Sequence, residues 1–241
     1  MGQGKDDKRL AQTKIGERPG FGAVLFDLDG TLLDTTEAIL CSLQYTVNHL
    51  TGKTPEKEDL RKYLGWPLTE TFSELLPQKV EEACEVYLHH NLSIHKTLVR
   101  PFPNVKKTIA RLQECRIKLA VVTSKRRCAV MEGLNLAGLT EAFDVLVCYG
   151  ETERPKPYPD PVLKAVELLG LEKGRVLMVG DTPSDIRSAK NAQALLSPAT
   201  ITISTAAATY GTSSREILVK EEPDYLIDDV SEVLGLCGCN P

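Results

Sequence analysis

Apolar residues along this chain fall into two rhythms. The run "AVLF", residues 23–26, ends abruptly in two aspartates separated by one leucine, then a glycine and a threonine. Such a short continuous run reads as a buried strand. The next interval is helical in period. Ile39, Leu40, Leu43, Val47 and Leu50 share one helical face. Thr54 and Pro55 have the residue types that open a second helix, as cap and first-turn residue. A short helix is predicted over 68–76 between Pro67 and Pro77, and Val80, Ala83, Cys84, Tyr87 and Leu88 form a further stripe. Nothing between Thr35 and Arg100 carries a strand pattern.

From Pro101 the rhythm changes. Val105, Ile109 and Leu112 mark a helix, and "IKLAVVT" follows as a strand. A helix over 126–136 leads to the strand "FDVLVCY", and one over 160–169 leads to "RVLMVG". A helix over 184–194 precedes "ATITIS", and "DYLID" is a last short strand. Short apolar runs alternating with helices predict an α/β fold, a Rossmann-like parallel sheet with helices on both faces. The helical block interrupts that alternation. We therefore expect a core of residues 20–34 and 101–241, an inserted α-helical cap over 35–100, and a polar lead, 1–19, that is disordered by composition.

Composition narrows the class. The 241 residues are 42% hydrophobic and 26% charged, as in ordinary soluble proteins. A formal charge of −4 argues against a dedicated nucleic-acid binder. Lys125-Arg126-Arg127 is a local basic spot, an anion contact or a solvated helix face. The 7 cysteines, an odd number without repeating spacing, read as reduced thiols. Cys237 and Cys239 form one close pair in an inert tail, with no second half for a zinc site. The 4 histidines lack metal-motif partners and are expected in surface or packing roles. No segment approaches the roughly 20 apolar residues of a membrane span, and no signal core or lipidation site is visible. The expectation is a cytoplasmic protein, monomer or homodimer, that binds neither membranes nor nucleic acid.

The candidate chemistry lies at strand ends. Alternation turns Asp27 and Asp29 to the same side, and Gly30 permits the sharp turn after them. Ligands of open α/β sheets bind at the carboxyl ends of strands, where both aspartates fall. "GDTPSD" adds Asp181 and Asp185 after another strand, "VVTSK" presents Thr123, and "RPKPYPD" presents Lys156. Converging carboxylates repel; at roughly 4 Å and an effective dielectric of about 20, each pair costs about 4 kcal/mol. Protonation or a bound cation relieves this. Oxygen ligands suit Mg²⁺, which takes phosphate as a further partner. Phosphoryl transfer follows, with Thr123 and Lys156 available for phosphate oxygens. Taken singly, each residue has a plainer reading. Asp-x-Asp can be a turn, Thr123 and Asp185 helix caps, and Lys156 a loop lysine. Their order at successive strand ends is what joins them.

"DLDGT", "VVTSK", "RPKPYPD" and "GDTPSD" resemble, in order, the motifs of the haloacid dehalogenase superfamily. The helical insert resembles its first cap class, and "DGTLLDT" and "RPFPNV" are similar to the hinges of phosphoglycolate-phosphatase-like members. The resemblance spans about residues 20–235. It implies that Asp27 is the nucleophile that becomes an aspartyl-phosphate and Asp29 the general acid/base. Thr123, with the backbone of Ser124, would bind the phosphoryl group, and Lys156 would hold Asp27. Mg²⁺ would be bound by Asp27, Asp181 and the backbone carbonyl of Asp29, supported by Asp185. The dehalogenases and phosphonate-cleaving members lack an acid at position 29. Sugar-phosphate mutases commonly show Glu-Asp where this chain has Gly180-Asp181. A hydrolase is implied.

The chain departs from the family pattern at Gln193, in "ALLSPATITISTAAATYGT", and at Asn104 in the second hinge. Two classes of function compete: a Mg²⁺-dependent phosphatase acting on a small phosphorylated metabolite, and a phosphate-binding relative without catalysis. Retention of Asp27, Asp29, Lys156 and Asp181 favours the enzyme, although a fold alone does not define function. The implied substrate is a small phosphate monoester, phosphoglycolate-like; pyrophosphate, sugar phosphates and nucleotides are alternatives. Gly65, Trp66, Leu68 and Thr69 of "LGWPLTETF" are candidates to read the leaving group, with Trp66 equally suited to packing.

Overall fold

The computed structural model describes residues 20–239. The expected disorder of residues 1–19 lies outside the described residues. The strands are β1 (Ala23–Phe26), β2 (Leu33–Asp34), β3 (Arg100–Pro101), β4 (Lys118–Val122), β5 (Val145–Val147), β6 (Gly174–Gly180), β7 (Ile201–Ala208) and β8 (Tyr225–Ile227). Six of them form one sheet in the order β5-β4-β1-β6-β7-β8. Every pairing within it is parallel. The sequence expectation of a Rossmann-like parallel sheet is met.

Alternation along β1 divides the core. Val24 and Phe26 face the side covered by α5 (Val105–Glu114), α6 (Arg127–Ala137) and α10 (Glu232–Leu236). Ala23 and Leu25 face α7 (Asp160–Leu168) and α8 (Pro183–Leu195). A fully buried strand flanked by strands on both sides needs apolar residues on both faces, which is why "AVLF" does not alternate. A short helix, α9 (Arg215–Lys220), tucks Leu218 against Ile186 and Ala207.

Between β2 and β3 lie α1 (Thr36–Thr51), α2 (Lys57–Leu60), α3 (Leu68–Leu75) and α4 (Val80–Leu98). They enclose their own apolar cluster, including Leu40, Leu43, Phe72, Ala83 and Tyr87. The second helix starts later than Thr54 and Pro55 suggest. The Thr54 hydroxyl accepts from Asn48 Nδ2 at 2.8 Å instead of capping, and the helix opens at Lys57 and passes into a 3-10 turn, Arg61–Tyr63. One pairing has no periodic signal in the sequence. β2 and β3 run antiparallel, Leu33 opposite Pro101 and Asp34 opposite Arg100, so both crossings between insert and core form one ribbon.

The departures from the family pattern have local causes. Asn104 sits at φ 63° ahead of α5 and donates from Nδ2 to Asp229 at 2.9 Å. Asn is among the residues that tolerate this left-handed conformation where glycine is usual. Gln193 of α8 accepts through its side-chain oxygen from the Ile203 N–H, tying that helix to β7. β7 itself is an interior strand that runs four residues beyond "ATITIS", with Ala206, Ala207 and Ala208 buried between β6 and β8. Cys237 and Cys239 pack into the core as buried residues. Burial pushes the Cys237 thiol up to about 12 and that of Cys239 to about 11, which suits unreactive thiols. His95 is a packing histidine, fully buried and pushed by burial down to about 4.

Candidate active site

β4, β1 and β6 are neighbours, and each ends on a polar residue: Thr123, Asp27 and Asp181. Parallel strands bring these three ends to one edge of the sheet. Asp27 continues the β1 ladder by donating its N–H to the Val179 carbonyl at 2.9 Å. The residue is 6% exposed, and its carboxylate accepts from Lys156 Nζ at 2.7 Å. Lys156 reaches in from the segment between β5 and α7, also donating to Asp185 Oδ1 at 2.5 Å and to the Val122 carbonyl at 3.0 Å. It is a buried ammonium on a loop, not an exposed loop lysine.

Asp185 is a helix cap and more. Its Oδ2 accepts from the Thr182 N–H at 3.0 Å and from the Thr182 hydroxyl at 2.7 Å, closing a capping box at the start of α8. The other oxygen carries Lys156. A side chain at Gly180 would put its Cβ 2.3 Å from Asp185 Cβ, so this approach requires glycine.

Asp181 is held by three donors. Thr31 Oγ1 donates to its Oδ1 at 2.8 Å; the Thr212 N–H and hydroxyl donate to Oδ2 at 2.8 and 2.6 Å. Gly30, at φ +84°, passes so close that a Cβ there would lie 2.2 Å from Asp181 Oδ2. Thr31 lies inside the quoted "DLDGT". Thr212 lies in the segment that departs from the family pattern, with no local signal for its role.

Asp27, Asp181 and Asp185 each place a carboxylate oxygen within 4.8 Å of the others. Burial pushes the Asp27 carboxyl well above the usual carboxylate range, opposed by Lys156 and reinforced by Asp185 and Asp181. Burial, with Asp185, pushes Asp181 up to about 6 despite its hydrogen bonds. The Lys156 pKa is raised as well, for a different reason. Burial alone would lower its pKa, but Asp185 and Asp27 together raise it. One ammonium, bonded to Asp27 and Asp185, thus stands among three buried carboxylates. This donor set, all oxygen and short of positive charge, fits a hard divalent cation.

Asp29 stands apart from that cluster. Its side chain is 19% exposed and accepts from Lys125 Nζ at 2.9 Å. As a metal ligand it would act only through its backbone carbonyl, as the family resemblance implies. Lys125 is only 11% exposed, so this member of the basic run is not a solvated face. Arg127 is different: it pairs with Glu151 at 2.6 Å on the exterior. Thr123 is 6% exposed, and its hydroxyl accepts from the Lys125 N–H at 3.2 Å. The Ser124 hydroxyl is buried with no hydrogen-bond partner among the described residues. This unmet polar atom lines the same cavity as Thr123 and Asp27, where a polar ligand would satisfy it.

A cavity opens above these groups and is roofed by the helical insert. Gly65, Trp66, Leu68 and Thr69 all line it together with Asp27, Asp29, Thr123, Ser124 and Lys156. Gly65 at φ +82° approaches Thr182, where an added Cβ would stand 2.9 Å from Cγ2. The Thr69 hydroxyl bonds the Tyr149 hydroxyl at 2.6 Å, joining insert to core. Trp66 is 44% exposed, with its ring edge-on to Tyr63 at 5.5 Å. It is therefore not insert core but a rim residue. Tyr149, like Lys125, Thr31 and Thr212, went unnoticed in the sequence as part of the site.

A parallel sheet carrying an aspartate-lysine pair and an acidic cluster at one edge, under a helical roof, defines an aspartate-based hydrolase. The chain belongs to the haloacid dehalogenase-like hydrolases, whose family model matches residues 24–196. It is similar to a pyrophosphatase PpaX of Halalkalibacterium halodurans, 38% identical over 216 residues, covering 89% of this chain and 96% of the relative. A pyrophosphatase PpaX of Bacillus mycoides is 37% identical over 213 residues, covering 88% and 95%. Among solved structures, a haloacid dehalogenase-like family hydrolase of Streptococcus pneumoniae superposes with a TM-score of 0.74 at 23% identity, covering 89% of this chain and 97% of that one. At that identity the likeness bears on the fold alone. No helix among the described residues is long and apolar enough to cross a membrane.

Proposed function

We propose that this protein is a Mg²⁺-dependent phosphatase that works through an aspartyl-phosphate on a small phosphorylated compound. The observation that carries the reading is the Asp27 carboxylate, fixed on Lys156 and facing a cavity that holds Thr123 and the unpartnered Ser124 hydroxyl. Asp27 attacks phosphorus through one carboxylate oxygen while Lys156 holds its orientation. Thr123, Ser124 and Lys156 take up negative charge on the phosphoryl oxygens. Asp29 delivers a proton to the departing oxygen and then removes one from the water that opens the acyl phosphate. Bound among Asp27, Asp181 and Asp185, Mg²⁺ would supply charge compensation for the phosphoryl group. A purely phosphate-binding role would not need the Asp29–Lys125 pair beside the nucleophile.

Pyrophosphate is the first candidate substrate, supported by the activity named for the two sequence relatives, which match nearly the whole chain. A phosphoglycolate-like monoester is the second, supported by the likeness of "DGTLLDT" and "RPFPNV" to the hinges of phosphoglycolate-phosphatase-like members. Turnover of both, alongside sugar phosphates and nucleotides, should stop in excess chelator and return with Mg²⁺. Acid quenching during turnover should trap a phosphorylated chain that is absent from Asp27→Asn. Full activity in chelator would overturn the metal assignment, and a phosphorylated Asp27→Asn chain would overturn the nucleophile.

A further inference from the structure

Three cationic side chains line the cavity on the core side: Lys156, Lys125 and Arg126. The first two are committed. Lys156 is bonded to Asp27 and Asp185, and Lys125 to Asp29. Arg126, which precedes α6 and stands exposed at the cavity mouth, has no ion pair or hydrogen bond from its side chain among the described residues. Among the described residues, the carboxylates lining the cavity are Asp27 and Asp29, and both already hold a lysine. Burial raises the pKa of the Cys84 thiol of α4, and the Arg126 charge opposes that rise.

We infer that Arg126 reads a second anionic group on the leaving-group side of the substrate. The inference rests on the phosphatase reading and narrows it to compounds whose leaving group carries its own negative charge, such as a second phosphate or a carboxylate. A guanidinium presents a planar fork of N–H donors suited to two oxygens at once. The facing wall of Ile39, Leu43, Leu68 and Leu88 offers an anion nothing, so the second charge is left to the core side. Leaving groups without charge, such as a nitrophenol, gain nothing from Arg126.

The test compares kcat/KM for pyrophosphate and phosphoglycolate with that for p-nitrophenyl phosphate in the Mg²⁺-loaded enzyme. Arg126→Met should lower the ratio of the better anionic substrate to the nitrophenyl ester by roughly ten- to a hundredfold, mostly through KM. Arg126→Lys, which keeps the charge and loses the fork, should recover part of that ratio. A ratio within about twofold of wild type in Arg126→Met, or a lysine variant no better than methionine, would overturn the inference. So would a wild-type enzyme that prefers p-nitrophenyl phosphate to both anionic substrates, though the phosphatase reading would then stand. Failure to hydrolyse any of the three with Mg²⁺ would remove both.

Discussion

On the core side of the cavity, charged groups are bonded to one another: Lys156 to two aspartates, Lys125 to Asp29, and Asp181 to two threonines. On the insert side the wall is apolar, with Thr69 and Asn91 among its few polar groups. Asn91 is already spent on Ala38 and Ser42, at 3.3 and 3.1 Å. The two sides also rest on different supports. Core groups hang from adjacent strand ends, whose spacing is fixed by the ladder, whereas insert groups belong to four helices with a separate apolar cluster. Electrostatic work is preorganised on the rigid side. Shape is supplied by the side that can change without disturbing a buried charge.

The sharpest way to break this contrast is at the nucleophile. Asp27→Asn should reduce turnover of every substrate to background, measured by phosphate release. Residual turnover with an unchanged substrate order would mean that another group attacks. Next in size is Asp29→Asn. General acid catalysis is typically worth about 10²- to 10⁴-fold. Phosphoenzyme formation from an alkyl phosphate should fall by that order, and by clearly less from p-nitrophenyl phosphate, whose leaving group needs no proton. Single-turnover kinetics are required because Asp29 also serves the hydrolytic step. Equal losses for both esters would assign it to the fold instead.

Thr212→Val tests the core side without touching a reacting group. It removes the hydroxyl bond to Asp181 while leaving the N–H bond in place. Loss of such an orienting partner commonly costs about 10- to 100-fold in metal affinity or activity. The concentration of Mg²⁺ giving half-maximal rate should rise, whereas the rate at saturating metal should be largely restored. The smallest effect belongs to the insert. Trp66→Ala should reorder substrates, with a stability cost of about 1 kcal/mol from its half-exposed ring packing. Thermal unfolding and a substrate panel check the two parts, and an unchanged order would make Trp66 a packing residue only.

Much of the core was legible because its signals are local. "AVLF" ending in Asp-Leu-Asp announces both a buried strand and its polar terminus. Four such strand-end segments in order sufficed to assemble Asp27, Thr123, Lys156 and Asp181. What escaped reading depends on partners distant in sequence. Thr212 matters only because β7 lies beside β6, and Lys125 only because the turn after β1 carries Asp29 to it. The ribbon of β2 and β3 is two residues long on each side, below any period a sequence can display. Thr54 and Pro55 misplaced a helix start because the threonine hydroxyl found Asn48 first.

The hold on Asp181 also sets an order of events during synthesis. All four motifs have emerged once the chain reaches Asp185, yet two of the three donors to Asp181 come from Thr212, 31 residues beyond it. Gly211 completes the fit; a side chain there would put its Cβ 2.2 Å from Asp181 Cβ and 2.4 Å from the Gly30 carbonyl oxygen. A ribosome that has delivered every residue of the motifs has therefore not yet delivered a working carboxylate cluster. The cluster as it stands in the folded chain needs β7 beside β6 and the loop after it against Asp181. A nascent chain stalled before that point holds the chemistry in its sequence but not in its structure.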